Sequence, residues 1–434
     1  MSRRPKALLA ATSAVALAAT TLAAAPAAYA EEDPKTTTVA SGLDNPRQLS
    51  FGAGQTLYVA EAGTGGSGPC LTDPENPSEE VCLGPTGAIT EVSRGEQKRI
   101  ITGLPSLALA GGPNASGPAD VAVRGNTITI AVGLGQNPKD REKLGAGGAQ
   151  LGTLLTGRIG SPLTVASDLA GYEGSDPDGA GPDSNPTGFI ALDSNNWAVI
   201  DAGGNDLIQV GKRGESTVAV FPNDRTTPAP FPGPWGEAGT LISFQSVPTD
   251  VVKGPDGAFY VSELTGFPFP EGASTIWKVM PGQEPTVYAT GLNNVTSLDF
   301  KGNQLYAVQI SDNWLLADPT SPPIGSVRKV VPGATDHPPV VKGLFAPYGI
   351  AIRSNDAYVT TGSVAAGAGE VITFSLRGPA PLDGPCRLRL ARAVVLRSRV
   401  TPGAPRHPQR RRDHCLSRRL APLQGVSTQV GLAI

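Results

Sequence analysis

Histidine and cysteine are scarce in this chain, with three His and four Cys in 434 residues. Between residues 31 and 376 histidine occurs once, as His337 in ATDHPPVV. A Ser-His-Asp triad therefore has no well-placed base. No G-x-S-x-G elbow occurs to present a serine, and no G-x-x-x-x-G-K-[ST] loop occurs to cradle a phosphate. Charge is sparse as well, at 17%, and long helical periodicities are missing. Beyond the first thirty residues no segment reaches the ~18 apolar residues of a membrane span.

What is abundant is turn chemistry. The chain holds 54 Gly and 41 Pro. They bound short β-branched and aromatic runs, the pattern of an all-β chain with many turns. At the start, MSRRPK precedes the apolar ALLAATSAVALAATTLAAAPAAYA, which ends on the small-x-small Ala28-Tyr29-Ala30. This reads as an export signal cleaved after Ala30. Its Ala/Thr richness and cleavage-type end disfavour an uncleaved anchor. The mature chain is expected to be secreted, without a membrane span, and monomeric.

Cys70 and Cys82 flank the turn-rich LTDPENPSEEV and are expected to pair in an oxidising compartment. Closing such a loop constrains the unfolded chain by roughly 3 kcal/mol in the entropy model. A metal pair is disfavoured, because no His or further Cys lies nearby. Charge is uneven. Residues 31–376 carry 20 basic and 36 acidic side chains, a net of −16. Nucleic acid, whose phosphates demand the opposite sign, is excluded as a partner.

One pattern recurs six times. It begins at Leu43, Ser116, Ser184, Ser246, Asn293 and Phe345, and each copy has a Pro-type turn, a short strand, a polar tight turn and a second strand. The tight turns GAGQ, RGN, DSNN, GPDG, KGNQ and RSND carry the Gly, Asn or Asp that hairpins need. Further strand pairs such as GAITEVSRGEQKRIITGL and STIWKVMPGQEPTVYATGL lie between copies. Six four-stranded units predict a six-bladed β-propeller over residues 31–376. GEVITFSL has no partner after it, while residues 35–43 end like TVYATGL and VVKGL. They are expected to supply the outer strand of the last blade and close the ring. NPKDREKLG, from Asn137, predicts a short helix with an Asn cap and Pro at its first position.

The tail, 377–434, fits nothing before it. It holds twelve Arg, no Lys, and the acids Asp383 and Asp413. Two readings stand, a basic interaction tail and the out-of-frame text of a GC-rich gene, with the second preferred; the tail is expected to be irregular.

In propellers, ligands usually meet the mouth formed by the loops before each unit's first strand and after its second. The mouth candidates are Asn45, Arg47, Glu61, Asp120, Asn185, Asp201, Asn205, Asp206, Glu263, Asn293, Asn294, Gln309 and Tyr348. Oxygen donors of this kind suit Ca²⁺, with Glu61, Asp201 and Glu263 as the candidate ligands. Such residues also cap turns and backbone NH groups, which is the favoured reading of DAGGNDLI. The loop YEGSDPDGAGPDSNP resembles a calcium loop only loosely and is expected to be solvated. SELTGFPFPEG and Phe231-Pro232-Gly233-Pro234-Trp235 offer apolar surface near the mouth. Packing between long loops is its first expectation, and a partner or glycan surface its second.

VPTDVVKGPDGAFYVSELTGFPFPEG, SNPTGFIAL with VIDAGGNDLIQV, and GLDNPRQLSFG together resemble the ScyD/ScyE family of exported bacterial propellers, related to NHL-type propellers. The resemblance covers about residues 36–376 and implies a six-bladed fold and secretion. The family takes its name from proteins encoded with a cyanobacterial pigment pathway, and the resemblance carries over no catalytic residue. The expected function is a non-catalytic module for an extracellular ligand or protein, with no certain cofactor. The alternative is a Ca²⁺-dependent lactone or ester hydrolase, and a cell-wall scaffold is a third reading.

Overall fold

The computed structural model describes residues 33–74, 76–316 and 322–377. Six antiparallel sheets follow one another along the chain. The first contains Pro46–Phe51, Leu57–Glu61, Glu80–Ser93 and Glu96–Ala108; the second, Pro118–Arg124, Thr127–Val132, Thr153–Arg158 and Thr164–Asp168. The third contains Pro186–Ala191, Trp197–Asp201, Asp206–Gly211 and Gly214–Val220. The fourth contains Pro248–Lys253, Phe259–Glu263, Ser274–Val279 and Thr286–Leu292; the fifth, Val295–Lys301, Gln304–Gln309, Ile324–Lys329 and Pro339–Phe345. In the sixth, Ile350–Arg353, Asp356–Thr361 and Gly369–Ser375 are completed by Thr37–Leu43. These are the blades of a six-bladed β-propeller, closed by its N-terminal strand as expected. Ala40 pairs with Val371 and Leu43 with Gly369.

The blades hold together through their faces. Tyr58 and Ile89 of the first pack with Val121, Ile130 and Leu155 of the second. Ile200 and Leu207 of the third pack with Val261 and Trp277 of the fourth. Full burial of each such side chain contributes roughly 1.5–3 kcal/mol, so the core is spread around the ring. Turn residues meet the expected demand. Gly257 in Pro-Asp-Gly sits at φ 85°, and Asn45 and Asn294, just before inner strands, at φ 49° and 46°. These left-handed conformations favour Gly and Asn.

Several insertions decorate the blades. Cys70–Thr72 pairs with Glu80–Ser93, and the expected Cys70–Cys82 disulfide is formed there. The helix expected at Asn137 is present as a 3₁₀ segment, Pro138–Gly148, with the Asn137 side chain accepting from Lys139 N. The residues Leu169–Glu173 form a short α-helix capped by Asp168. An unanticipated hairpin, Arg225–Pro228 with Leu241–Phe244, stands between the third and fourth blades. Among the described residues no helix is long and apolar enough to cross a membrane. The export signal with Ala30, and the tail from residue 378, lie outside the described residues.

Candidate functional site

Each blade's second strand ends at the loop that leads to its third, and the expected mouth acids sit at these ends. In the first blade Glu61 has no exposed surface. It accepts from Asp44 N at 2.8 Å and from Thr90 Oγ1, and Arg99 lies against it with Nη2 2.6 Å from Oε2. Glu263 of the fourth blade takes Arg225 and Trp277 Nε1. Burial pushes its carboxyl up to about 7, against the pull of Arg225. Gln309 of the fifth accepts from Asn293 N at 2.9 Å and donates to Asp312 Oδ1, which also holds Arg328. Asp201 of the third accepts from Ser184 Oγ and from the backbone NH groups of Asn185, Gly203 and Gly204. Burial raises it to about 6. These bonds lock each outer-to-inner connection to the strand end beside it, because a buried acceptor left unbonded is costly.

The amides at the mouth are engaged in the same way. Asn45 donates to Gly63 O and Gly112 O, and Asn294 to Leu264 O. Asn293 accepts from Gly272 N at 2.6 Å and Asn205 from Val247 N at 3.0 Å. The Asn185 and Asp206 side chains are buried too. Arg47 is buried over the Tyr348 ring, 4.8 Å from its centroid, and donates to Ala115 O. Among the described residues Glu61, Asp201 and Glu263 do not gather into one acidic group; each belongs to its own blade's network.

Of the mouth candidates, Asp120 alone lines the cavity that the inner strands enclose, about 550 Å³ in volume. This cavity occupies the half of the channel toward the hairpin turns, with Phe51, Arg124, Leu192 and Lys253 near that end. Asp250 and Asp299 also line it. All three carboxylates staple neighbouring inner strands. Asp120 accepts from Phe189 N, Asp250 from Leu298 N and Ser297 Oγ, and Asp299 from Ile352 N. Burial pushes Asp120 well up, Asp250 to about 6 and Asp299 to about 7. Sequence reasoning missed Asp250 and Asp299. The available signal was an acid inside an otherwise apolar inner strand, in PTDVVK and VTSLDFK.

The loop expected to be solvated is so in large part, with Gly174, Ser175, Gly179, Ala180, Gly181 and Asp183 exposed, but its first acid is not. Glu173, at the end of the short helix, has no exposed surface, and both its carboxylate oxygens are without a hydrogen-bond partner. Glu173, Asp176 and Asp178 bring ligand oxygens within 4.8 Å of one another. The helix and the Asp201–Asp206 turn bury this acid, and neither effect shows in the local composition.

The two aromatic stretches do meet. Phe267 lies 5.0 Å from Trp235 and 6.1 Å from Phe231, ring centre to ring centre. Phe231 remains 42% exposed, Phe267 38% and Leu241 68%. One stretch belongs to the connection into the fourth blade's inner strand and the other follows that blade's second strand. By the antiparallel order of each blade, both connections lie at the same end of the propeller.

No family model and no curated protein matches the chain. Solved structures do. An inactivated virginiamycin B lyase from Staphylococcus aureus, with quinupristin, is 12% identical (TM-score 0.38; 79% of this chain, 99% of that one). A glucose dehydrogenase is 11% identical (0.42; 79% and 99%). An auxiliary nutrient binding protein from Bacteroides thetaiotaomicron is 9% identical (0.40; 78% and 76%). At these values the likenesses carry no argument about activity.

Proposed function

We propose that this chain is an exported, non-catalytic propeller that binds an extracellular protein on its mouth face. The observation that carries this reading is the aromatic group of Phe231, Trp235 and Phe267, which packs between two long loops yet leaves Phe231 and Phe267 in solvent. Rigid aromatic anchors on protruding loops are what protein interfaces concentrate. The polar groups around the same mouth support a non-catalytic role, because Glu61, Glu263 and Gln309 are engaged by Arg99, Arg225 and Asp312. A lactone or ester hydrolase built on Glu61, Asp201 and Glu263 would need those oxygens free for a metal. The geometry favours the binding reading over it.

The test is photocrosslinking in the producing cells. A benzophenone side chain replaces Phe267, and as a control replaces Val287, an exposed residue on the fourth blade's outer strand. A discrete adduct at position 267 and none at 287 supports the reading. No adduct, or equal smears at both positions, removes it.

A further inference from the structure

We propose that Glu173, Asp176 and Asp178 form a calcium-binding site on the approach to the third blade. Their ligand oxygens all lie within 4.8 Å of one another, inside the roughly 5 Å that separates opposite oxygens around a calcium ion. The donor set is entirely hard oxygen, with no His or Cys to favour zinc.

A second observation points to an ion. Glu173 is fully buried and neither of its oxygens meets a donor. A carboxylate in that state is costly unless something cationic faces it. Asp206, also fully buried, leaves its Oδ1 unpartnered as well, while its Oδ2 accepts from Thr217. Asp201, Asp178, Asp176 and Asp183 add negative charge around Glu173. Burial and these neighbours push its carboxyl up to about 8.

At the corresponding corner the first blade supplies Arg99 to Glu61, the hairpin ahead of the fourth supplies Arg225 to Glu263, and the fifth supplies Arg328 to Asp312. The third blade supplies more acids. Among the described residues none of Glu173, Asp176, Asp178, Asp183, Asp201 and Asp206 forms an ion pair. A divalent cation would do there what arginine does elsewhere.

The outer ligands are held ready. Asp178 Oδ2 accepts from Asn205 at 3.0 Å and from Asn223 at 3.3 Å, and Asp176 Oδ1 accepts from Gly181 N. Gly204 leaves room beside the site, since a Cβ there would stand 2.5 Å from a Glu173 oxygen and displace the carboxylate.

The test uses the whole purified protein and Ca²⁺ alone, by calorimetry and by thermal unfolding in chelator against Ca²⁺. One ion should bind and raise the melting temperature, with a smaller response to Mg²⁺. Glu173→Gln should melt higher than the parent in chelator, because the fold no longer has to bury an acid that is either charged or must take up a proton, and should lose the Ca²⁺ response. Asp176→Asn with Asp178→Asn, at the less buried positions, should weaken Ca²⁺ more than ~10-fold and serves if the first variant does not fold. The inference is overturned if the parent shows neither heat nor shift, if Mg²⁺ matches Ca²⁺, or if the variants keep the full response. Its failure would leave the aromatic surface of the proposed function untouched.

Discussion

Arg99 places Nη2 2.6 Å from Oε2 of Glu61, so a side chain 40% exposed neutralises one with no exposure at all. The asymmetry makes the arginine the more sensitive partner to remove. Arg99→Met would leave Glu61 buried with Thr90 and the Asp44 NH as its donors. The expected loss is roughly 1–3 kcal/mol of unfolding free energy. Adding Glu61→Gln should recover part of it, as read by urea unfolding of the double cycle.

Ring closure rests on Thr37–Leu43, whose Ala40 and Leu43 are buried against the sixth blade. A chain starting at Asp44 should expose the edge of Gly369–Ser375 and aggregate. Size-exclusion chromatography and melting of the shortened chain check this. A monomer melting within a few degrees of the parent would contradict it.

The acidic channel wall has a pH signature. In the folded protein the Asp299 carboxyl is raised to about 7 and Asp250 to about 6, both mainly by burial. The folded state therefore keeps protons that the unfolded chain has released between about pH 4 and pH 7. Stability contributed by these groups is present below that window and is lost as pH rises through it. Asp299→Asn should flatten the slope by on the order of 1–3 kcal/mol, measured as urea midpoints from pH 4 to 8.

The disulfide is predicted to stabilise locally as well as globally. Cys70→Ser with Cys82→Ser should cost about 3 kcal/mol by the chain-entropy model. Hydrogen exchange should rise first in Cys70–Thr72 and at the start of Glu80–Ser93, since these residues pair beyond the stretch Ala88–Val92 that the first blade's second strand covers.

Much of the fold was legible because its signals are local. Alternating apolar residues and a Gly, Asn or Asp turn recur in each hairpin, a proline starts the inner strand in four of the six, and the unpartnered GEVITFSL asked for residues 35–43. The hairpin of Arg225–Pro228 and Leu241–Phe244 escaped notice because its strands are four residues each and surrounded by prolines. The mouth was legible only as a set of residue types. What each does depends on partners far along the chain, such as Arg99 to Glu61 at a separation of 38 and Asn205 to Val247 at 42. Glu173 shows the limit most clearly. Its loop reads as solvated, yet tertiary packing removes it from water.

The central claim is that the mouth face binds a partner through exposed aromatics that the fold itself does not need. Phe231→Ser with Phe267→Ser tests it most directly, with adduct formation and unfolding measured on the same variant. For the adduct, the benzophenone replaces the exposed Leu241 beside the cluster in both parent and variant. The account predicts a parent adduct that the variant loses, while unfolding free energy shifts by no more than about 1 kcal/mol. An unchanged adduct would contradict it. So would a collapse in stability, which would mark the cluster as loop packing alone.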